Sequence, residues 1–193
     1  MRVLGIAGSV RSDSHNARLL RHAAEQAPDG VEVEIWEGLK SIPPYDEDDD
    51  VEPAPEAVAD LRRALAGADA LLIATPEYNR SIPGVLKNAI DWASRPRAET
   101  PLQNLPAAVI GASTGGFGAV WAQAELRMVL AATGARVVDL ELAVPMCGEA
   151  FEGDGHPAAA EHDARLAEIF EALAEEARPR RLDEAREPAA KAA

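Results

Sequence analysis

A chain of 193 residues is long enough to enclose a hydrophobic core within one domain. Its 47% hydrophobic and 27% charged residues make a globular balance, and with aromatics at 4% the core must be aliphatic. A net charge of −14 argues against nucleic acid and anionic membranes as partners, and no apolar run is long enough to cross a bilayer.

Cys147 is the only cysteine, so no intrachain disulfide can form, and a reducing cytoplasm is the expected compartment. The same reasoning favours a buried, inert thiol. The apolar start, Met1 to Gly8, is too short for a secretion signal.

In chain order, Val3 to Ala7 reads as a buried strand closed by Gly8-Ser9. Asn16 to Gln26 carries Ala17, Leu20, Ala23 and Ala24 at helical spacing and stops at Pro28-Asp29-Gly30. Val31 to Trp36 alternates apolar residues with Glu32 and Glu34, as an edge strand does. Ser41 to Pro55 has no periodicity. Its acidic run, Asp46 to Asp50, lacks the spacing and glycine of a calcium loop and reads as a solvated surface loop without metal.

Ala57 to Ala66 is predicted as a helix, and Ala68 to Ala74 as a strand of the sheet interior. Thr75 to Ser81 is a loop, and Pro83 opens a helix to Ala93. Pro106 to Ala112 is a buried strand. Ser113 to Gly118 is a glycine-rich turn, followed by a helix from about Phe117 to Ala132. Val137 to Leu142 is the last strand, Cys147 to Pro157 a loop, and Ala158 to Ala177 the last helix. Residues 178–193 read as a polar, frayed tail after one domain spanning 1–177. Strict strand–helix alternation predicts a three-layer α/β fold, a doubly wound five-stranded parallel sheet of flavodoxin-like order 2-1-3-4-5.

Such sheets bind ligands at the carboxyl ends of their strands, beside the switch between strands 1 and 3. The three most unusual segments of the chain follow strands 1, 3 and 4. Gly8 to Asn16 joins a strand to a helix N-terminus, where free N–H groups and the helix dipole favour an anion. Ser9, Ser12 and Ser14 add hydroxyls, and Arg11 adds a cationic fork. Neither G-x-G-x-x-G nor a P-loop is present. A terminal phosphate monoester suits this loop better than a Mg²⁺-bound triphosphate. Plain capping by Ser14 and Asn16 is the competing reading.

The second loop, Thr75 to Gly84, is stiffened by Pro76 and Pro83, so Tyr78 and Asn79 can wall a flat heterocycle; a structural turn explains it equally well. In the third, Gly115 and Gly116 let backbone approach a ligand.

Together the segments Gly8-Ser9-x-Arg11-x-x-Ser14-x-Asn16, Thr75 to Trp92 and Gly111 to Gly115 resemble the NADPH-dependent FMN reductase family of quinone, chromate and azo-dye reductases. The likeness covers roughly the first 155 residues. It implies that Ser9, Arg11, Ser14 and Asn16 hold the FMN phosphate, with His15 in the same loop. It implies that Pro76, Glu77, Tyr78, Asn79 and Arg80 line the isoalloxazine, Arg80 at a position that tunes substrate choice. Ser113 and Gly115 would approach the flavin from the strand-4 side. It implies dimer contact through the helix bearing Lys87 to Trp92, and assigns no role to Thr114 or Trp121.

The activity so implied is FMN-dependent reduction of quinones or similar small acceptors by NADPH or NADH. Competing readings are a flavodoxin-like electron carrier, a reductase supplying reduced FMN to a monooxygenase, and a nucleotide-binding regulator. No Cys-His or Ser-His-Asp set is apparent, so no side chain is assigned as catalytic. His22, His156 and His162 read as solvated. One flavin face serving both substrates predicts ping-pong kinetics.

A homodimer or dimer of dimers is expected on residue pattern too. Phe117, Trp121, Ala124 and Met128 form one apolar stripe, and Leu126, Val129 and Leu130 another. One stripe is enough to cover a sheet. The helix with Val85, Ala89 and Trp92 shows a similar surplus. Both stripes serving one wide core contact is the alternative.

Overall fold

The computed structural model describes residues 1–150 and 157–190, without side chains at 149–150, 157–160 and 178–190. Strands β1 (Arg2–Ala7), β2 (Glu32–Trp36), β3 (Ala70–Ala74), β4 (Pro106–Ala112) and β5 (Arg136–Val144) form one parallel sheet in the order β2-β1-β3-β4-β5. Helices α1 (His15–Glu25), α2 (Glu56–Ala66), α3 (Gly84–Ala93), α4 (Val120–Ala132), α5 (Cys147–Ala150) and α6 (Pro157–Ala190) complete the flavodoxin-like arrangement.

β3 and β4 are buried along their whole length, which explains their unbroken apolar sequences: both faces are covered. One core lies on the α2–α3–α4 side, around Leu61, Leu86, Trp92 and Leu126. The other lies on the α1–α6 side, around Leu19, Leu20, Ile169 and Phe170. β2 and β5 are the edges and alternate in burial accordingly.

Several expectations are revised. The 41–55 segment is not featureless: 3-10 turns form at Gly38–Ser41 and Glu47–Asp49. Nor is its acidic run wholly solvated, because Asp50 sits largely covered in a 2.9 Å ion pair with Arg62. Arg62 in turn donates to the Trp92 carbonyl, tying this segment to α3. The surplus expected on α3 disappears. Trp92 and Ala89 are core residues, and the indole N–H of Trp92 donates to the Pro43 carbonyl at 2.9 Å. Val85 alone of those three is exposed.

Cys147 to Ala150 turns as a short helix, and α6 continues past 177 to Ala190. His22 is not a free surface group: its Nε2 lies 2.6 Å from Asp163 Oδ1, joining α1 to α6. His162 is half-buried on α6, and desolvation lowers its pKa below the ordinary 6.5. His156 lies outside the described residues.

No helix among the described residues is long and apolar enough to cross a membrane, and no cluster of His, Cys, Asp and Glu there has the makings of a metal site.

Candidate functional site

The loops after β1, β3 and β4 enclose a cavity of about 320 Å³ at the carboxyl edge of the sheet. Its wall contains nine of the residues singled out in the sequence: Ser9, Arg11, Ser14, His15, Asn16, Pro76, Glu77, Tyr78 and Ser113. Ala112 and Thr114 complete it. Both lie in the Gly111–Gly115 segment, though the sequence assigned neither a role.

The β1–α1 loop turns where Gly8 N–H donates to the Ala74 carbonyl at 2.8 Å. A Cβ on Gly8 would stand 2.9 Å from the end of the Leu86 side chain, so a side chain there would require Leu86 or the loop to shift. Ser14 is the N-cap of α1, its Oγ accepting from Ala17 N at 3.2 Å. That bond uses the hydroxyl as acceptor and leaves its proton free to donate into the cavity. Arg11 makes no salt bridge with any described residue, whereas the nearby Arg18 is held by Asp13. His15 begins α1, and its buried Nδ1 has no hydrogen-bond partner.

Asn16 is differently employed. Its side-chain NH₂ donates to the Ala112 carbonyl and its Oδ1 accepts from Ala112 N, both at 2.9 Å. This buried two-point contact fastens the start of α1 to the end of β4. Asn16 thus positions the wall, which capping statistics alone would not reveal.

The β3–α3 loop is a miniature hairpin. Tyr78 and Ser81 exchange backbone hydrogen bonds of 3.0 and 3.1 Å, and Asn79 and Arg80 both take the left-handed conformation, φ 55° and 64°. Two consecutive positive φ values define a type I′ turn, which usually takes Asn or Gly. Asn79 satisfies that preference; Arg80 does not, at a cost of about 1–3 kcal/mol for strained backbone. Arg80 lies outside the cavity, its guanidinium 4.9 Å from the Trp121 ring centroid. Trp121 meets Phe117 edge-on at 5.0 Å. Asn79 and Gly115 also lie outside the wall.

Glu77 points to α4. Its Oε2 accepts from Trp121 N at 3.1 Å and Ala122 N at 3.3 Å, capping a helix whose own N-cap residue, Ala119, has no side-chain acceptor. Gly118 precedes it at φ 57°, where a Cβ would stand 2.7 Å from the β5 backbone. Buried Gln123 braces this turn by donating to the Gly118 carbonyl. The helix therefore begins at Val120, after the predicted start at Phe117. In the third loop, Ser113 Oγ accepts from Gly115 N at 3.0 Å, and Met146 and Cys147 N–H groups donate to the carbonyls of Gly115 and Ser113. Burial pushes the pKa of the Cys147 thiol up.

The cavity wall thus combines Arg11, which makes no salt bridge with a described residue, with the Ser14 hydroxyl at the N-terminus of α1 and the Pro76–Tyr78 stretch of the β3–α3 loop. The model of the NADPH-dependent FMN reductase family matches residues 1–149. The chain belongs to that family. An NAD(P)H-dependent FMN reductase of Pseudomonas aeruginosa is 50% identical over 130 residues, 67% of this chain and 69% of that protein. A 2-hydroxy-1,4-benzoquinone reductase of a Burkholderia species is 42% identical over 131 residues, 68% of this chain and 70% of that protein. Among solved structures, the flavoenzyme FerB, an NAD(P)H:(acceptor) oxidoreductase from Paracoccus denitrificans, superimposes with a TM-score of 0.82 at 33% identity, over 91% of this chain and 98% of FerB. As an FMN reductase family member the protein is an oxidoreductase that works with FMN and draws electrons from NAD(P)H.

Proposed function

We propose that this reductase holds FMN in the 320 Å³ cavity and passes electrons from NAD(P)H to a quinone or a similar small acceptor. The observation that carries the reading is the convergence on one cavity of the salt-bridge-free Arg11, the Ser14 hydroxyl at the N-terminus of α1, and the buried, unpartnered Nδ1 of His15. An unpaired buried nitrogen costs free energy unless a ligand satisfies it. Ser9, Arg11 and Ser14 would hold the phosphate, with the α1 dipole behind them. Asn16 would keep α1 in place through Ala112. Pro76, Glu77, Tyr78, Ser113 and Thr114 would border the ring, Asn79 would set the turn that presents Tyr78, and Gly115 would let the third loop close on the flavin.

Bound FMN supplies a two-electron carrier for hydride from NAD(P)H. The chain's own contribution is orientation and exclusion of water, and no side chain is assigned as acid or base. The Burkholderia relative, named a 2-hydroxy-1,4-benzoquinone reductase, supports quinones as the acceptor class. Arg80, held over Trp121 at the edge of the site, is the residue proposed to influence acceptor choice.

Initial rates measured against both substrates with excess FMN test the scheme. Parallel double-reciprocal lines are expected if NAD(P)⁺ leaves before the quinone enters; intersecting lines would exclude a single shared face.

We also infer a homodimer or dimer of dimers. Phe117 and Met128 are 65% and 67% exposed and Trp121 is 38% exposed, while Leu126 and Leu130 of the other stripe fill the core. Burial of that outer stripe against a second copy would remove apolar surface from water. A monomer mass by light scattering at micromolar concentration would refute it. The single cysteine supports a cytoplasmic location.

A further inference from the structure

The hairpin beside the cavity carries a residue that its own backbone does not favour. Asn79 and Arg80 are the two central residues of the Tyr78–Ser81 hairpin, and Arg80 sits at φ 64°, where glycine would be free of strain. A strained residue persists only where its surroundings fix it. Here three contacts do so in series. The Arg80 guanidinium lies over the Trp121 ring, 4.9 Å from its centroid. That ring meets Phe117 edge-on at 5.0 Å, and the Trp121 N–H is held by Glu77 of the same β3–α3 loop.

The charge itself is left open. Among the described residues the Arg80 guanidinium makes no ion pair and no hydrogen bond. The Glu77 carboxylate, three residues earlier, is engaged at the N-terminus of α4, where it accepts from Trp121 and Ala122. Glu125, one turn beyond Trp121 on α4, does not pair with Arg80 either. A guanidinium held by its face against an aromatic ring keeps its in-plane N–H fork for another partner, and that fork matches a carboxylate or sulfonate. Tyr78, two residues before Arg80, lines the cavity, so the fork stands at the cavity's edge. A molecule of net charge −14 repels an anionic acceptor, and a fixed, unpaired cation at the rim offsets that repulsion locally.

We propose that Arg80 selects acceptors by charge, binding quinones whose ring carries a carboxylate, a sulfonate or an ionised hydroxyl through a two-point contact with that group. The inference deepens the acceptor reading given above and rests on it, because the selected quinone must lie against a flavin in the neighbouring cavity. Arg80 acts in binding alone: it supplies no proton and carries no electron.

Matched probes test it. 2-Naphthoate and 2-naphthamide share one aromatic shape and differ in charge, so calorimetric titration of the FMN-loaded protein reads charge selection apart from turnover. 2-Naphthoate should bind wild type more tightly than the amide. In Arg80→Gln the naphthoate-to-naphthamide affinity ratio should fall about tenfold or more, as for loss of a charge-assisted hydrogen bond. Arg80→Gly, which suits the left-handed turn, should show the same fall without a lower melting temperature, separating lost charge from misfolding. In steady-state assays the ratio of KM for 1,4-naphthoquinone-2-sulfonate to KM for 1,4-naphthoquinone should rise by a similar factor in both variants, while the ratio of their kcat values stays put. Equal weakening of the two probes, or an unchanged KM ratio, would overturn the proposal. So would a fall in native mass by light scattering in Arg80→Gln, which would assign Arg80 to an interface between copies. Absence of FMN binding to wild type would refute the flavin reading and this inference with it; normal FMN binding without charge selection would refute the role of Arg80 alone.

Discussion

Glu77 and Trp121 are joined across 44 residues by a 3.1 Å hydrogen bond from the Trp121 N–H to the Glu77 carboxylate. The loop that borders the candidate flavin cavity is therefore also the cap of the helix beneath it. Replacement of a capping acceptor costs about 0.5–2 kcal/mol, so Glu77→Ala should lower FMN-free stability by that amount in urea denaturation. Glu77→Gln keeps an acceptor and loses only the charge–dipole part, about 0.3–1 kcal/mol. An Ala variant as stable as wild type would show that the cap is unimportant.

Arg11 has no carboxylate to lose, so its removal should leave stability untouched and weaken the ligand. Arg11→Ala is expected to reduce FMN affinity by about 1.5–3 kcal/mol, the range for a charge-assisted hydrogen bond. Riboflavin, which has no phosphate, should bind wild type poorly and be indifferent to the substitution. Fluorescence titration with both flavins checks this, and equal losses for the two would move Arg11 away from the phosphate.

Asn16 should behave in the opposite way. Asn16→Ala strands the Ala112 N–H and carbonyl, both buried, at a cost of about 1–3 kcal/mol. Stability should drop before flavin is considered, and FMN affinity should fall through displacement of α1. A variant with full stability and selective FMN loss would place Asn16 on the phosphate instead.

Burial raises the pKa of the Cys147 thiol, keeping it protonated at neutral pH. Thiol reagents should modify it slowly in the native protein and rapidly in urea. Fast native labelling at pH 7 would contradict the packing of Cys147 against β4 and α6.

His162 carries a pH signature. Desolvation, helped by His22 and opposed by Asp163 and Glu161, lowers its folded pKa below 6.5. The unfolded chain then binds the proton more readily than the native one. Its contribution to stability is present above pH 6.5 and is lost as pH falls towards the lowered folded value. His162→Gln should flatten the stability difference between pH 7 and about pH 5 relative to wild type. Parallel profiles for the two proteins would rule this contribution out.

The sheet, and the strand ends at which the candidate cavity opens, were legible from residue order alone. Apolar runs such as Leu71-Leu72-Ile73 demand cover on both faces, and alternation with helices leaves only a doubly wound sheet to provide it. The three odd loops then fall together at the strand ends by topology. Individual side chains were decided in three dimensions, because a polar group takes whichever partner burial leaves it. Asn16 found Ala112, Glu77 found the start of α4, and Asp50 found Arg62. Trp92, apparently surplus on a helix face, was claimed by the core and by the Pro43 carbonyl. A cavity behind the β1–α1 loop likewise draws its wall from that loop, from α1 and from the stretch Ile35 to Lys40, which the parallel pairing of β1 with β2 brings together.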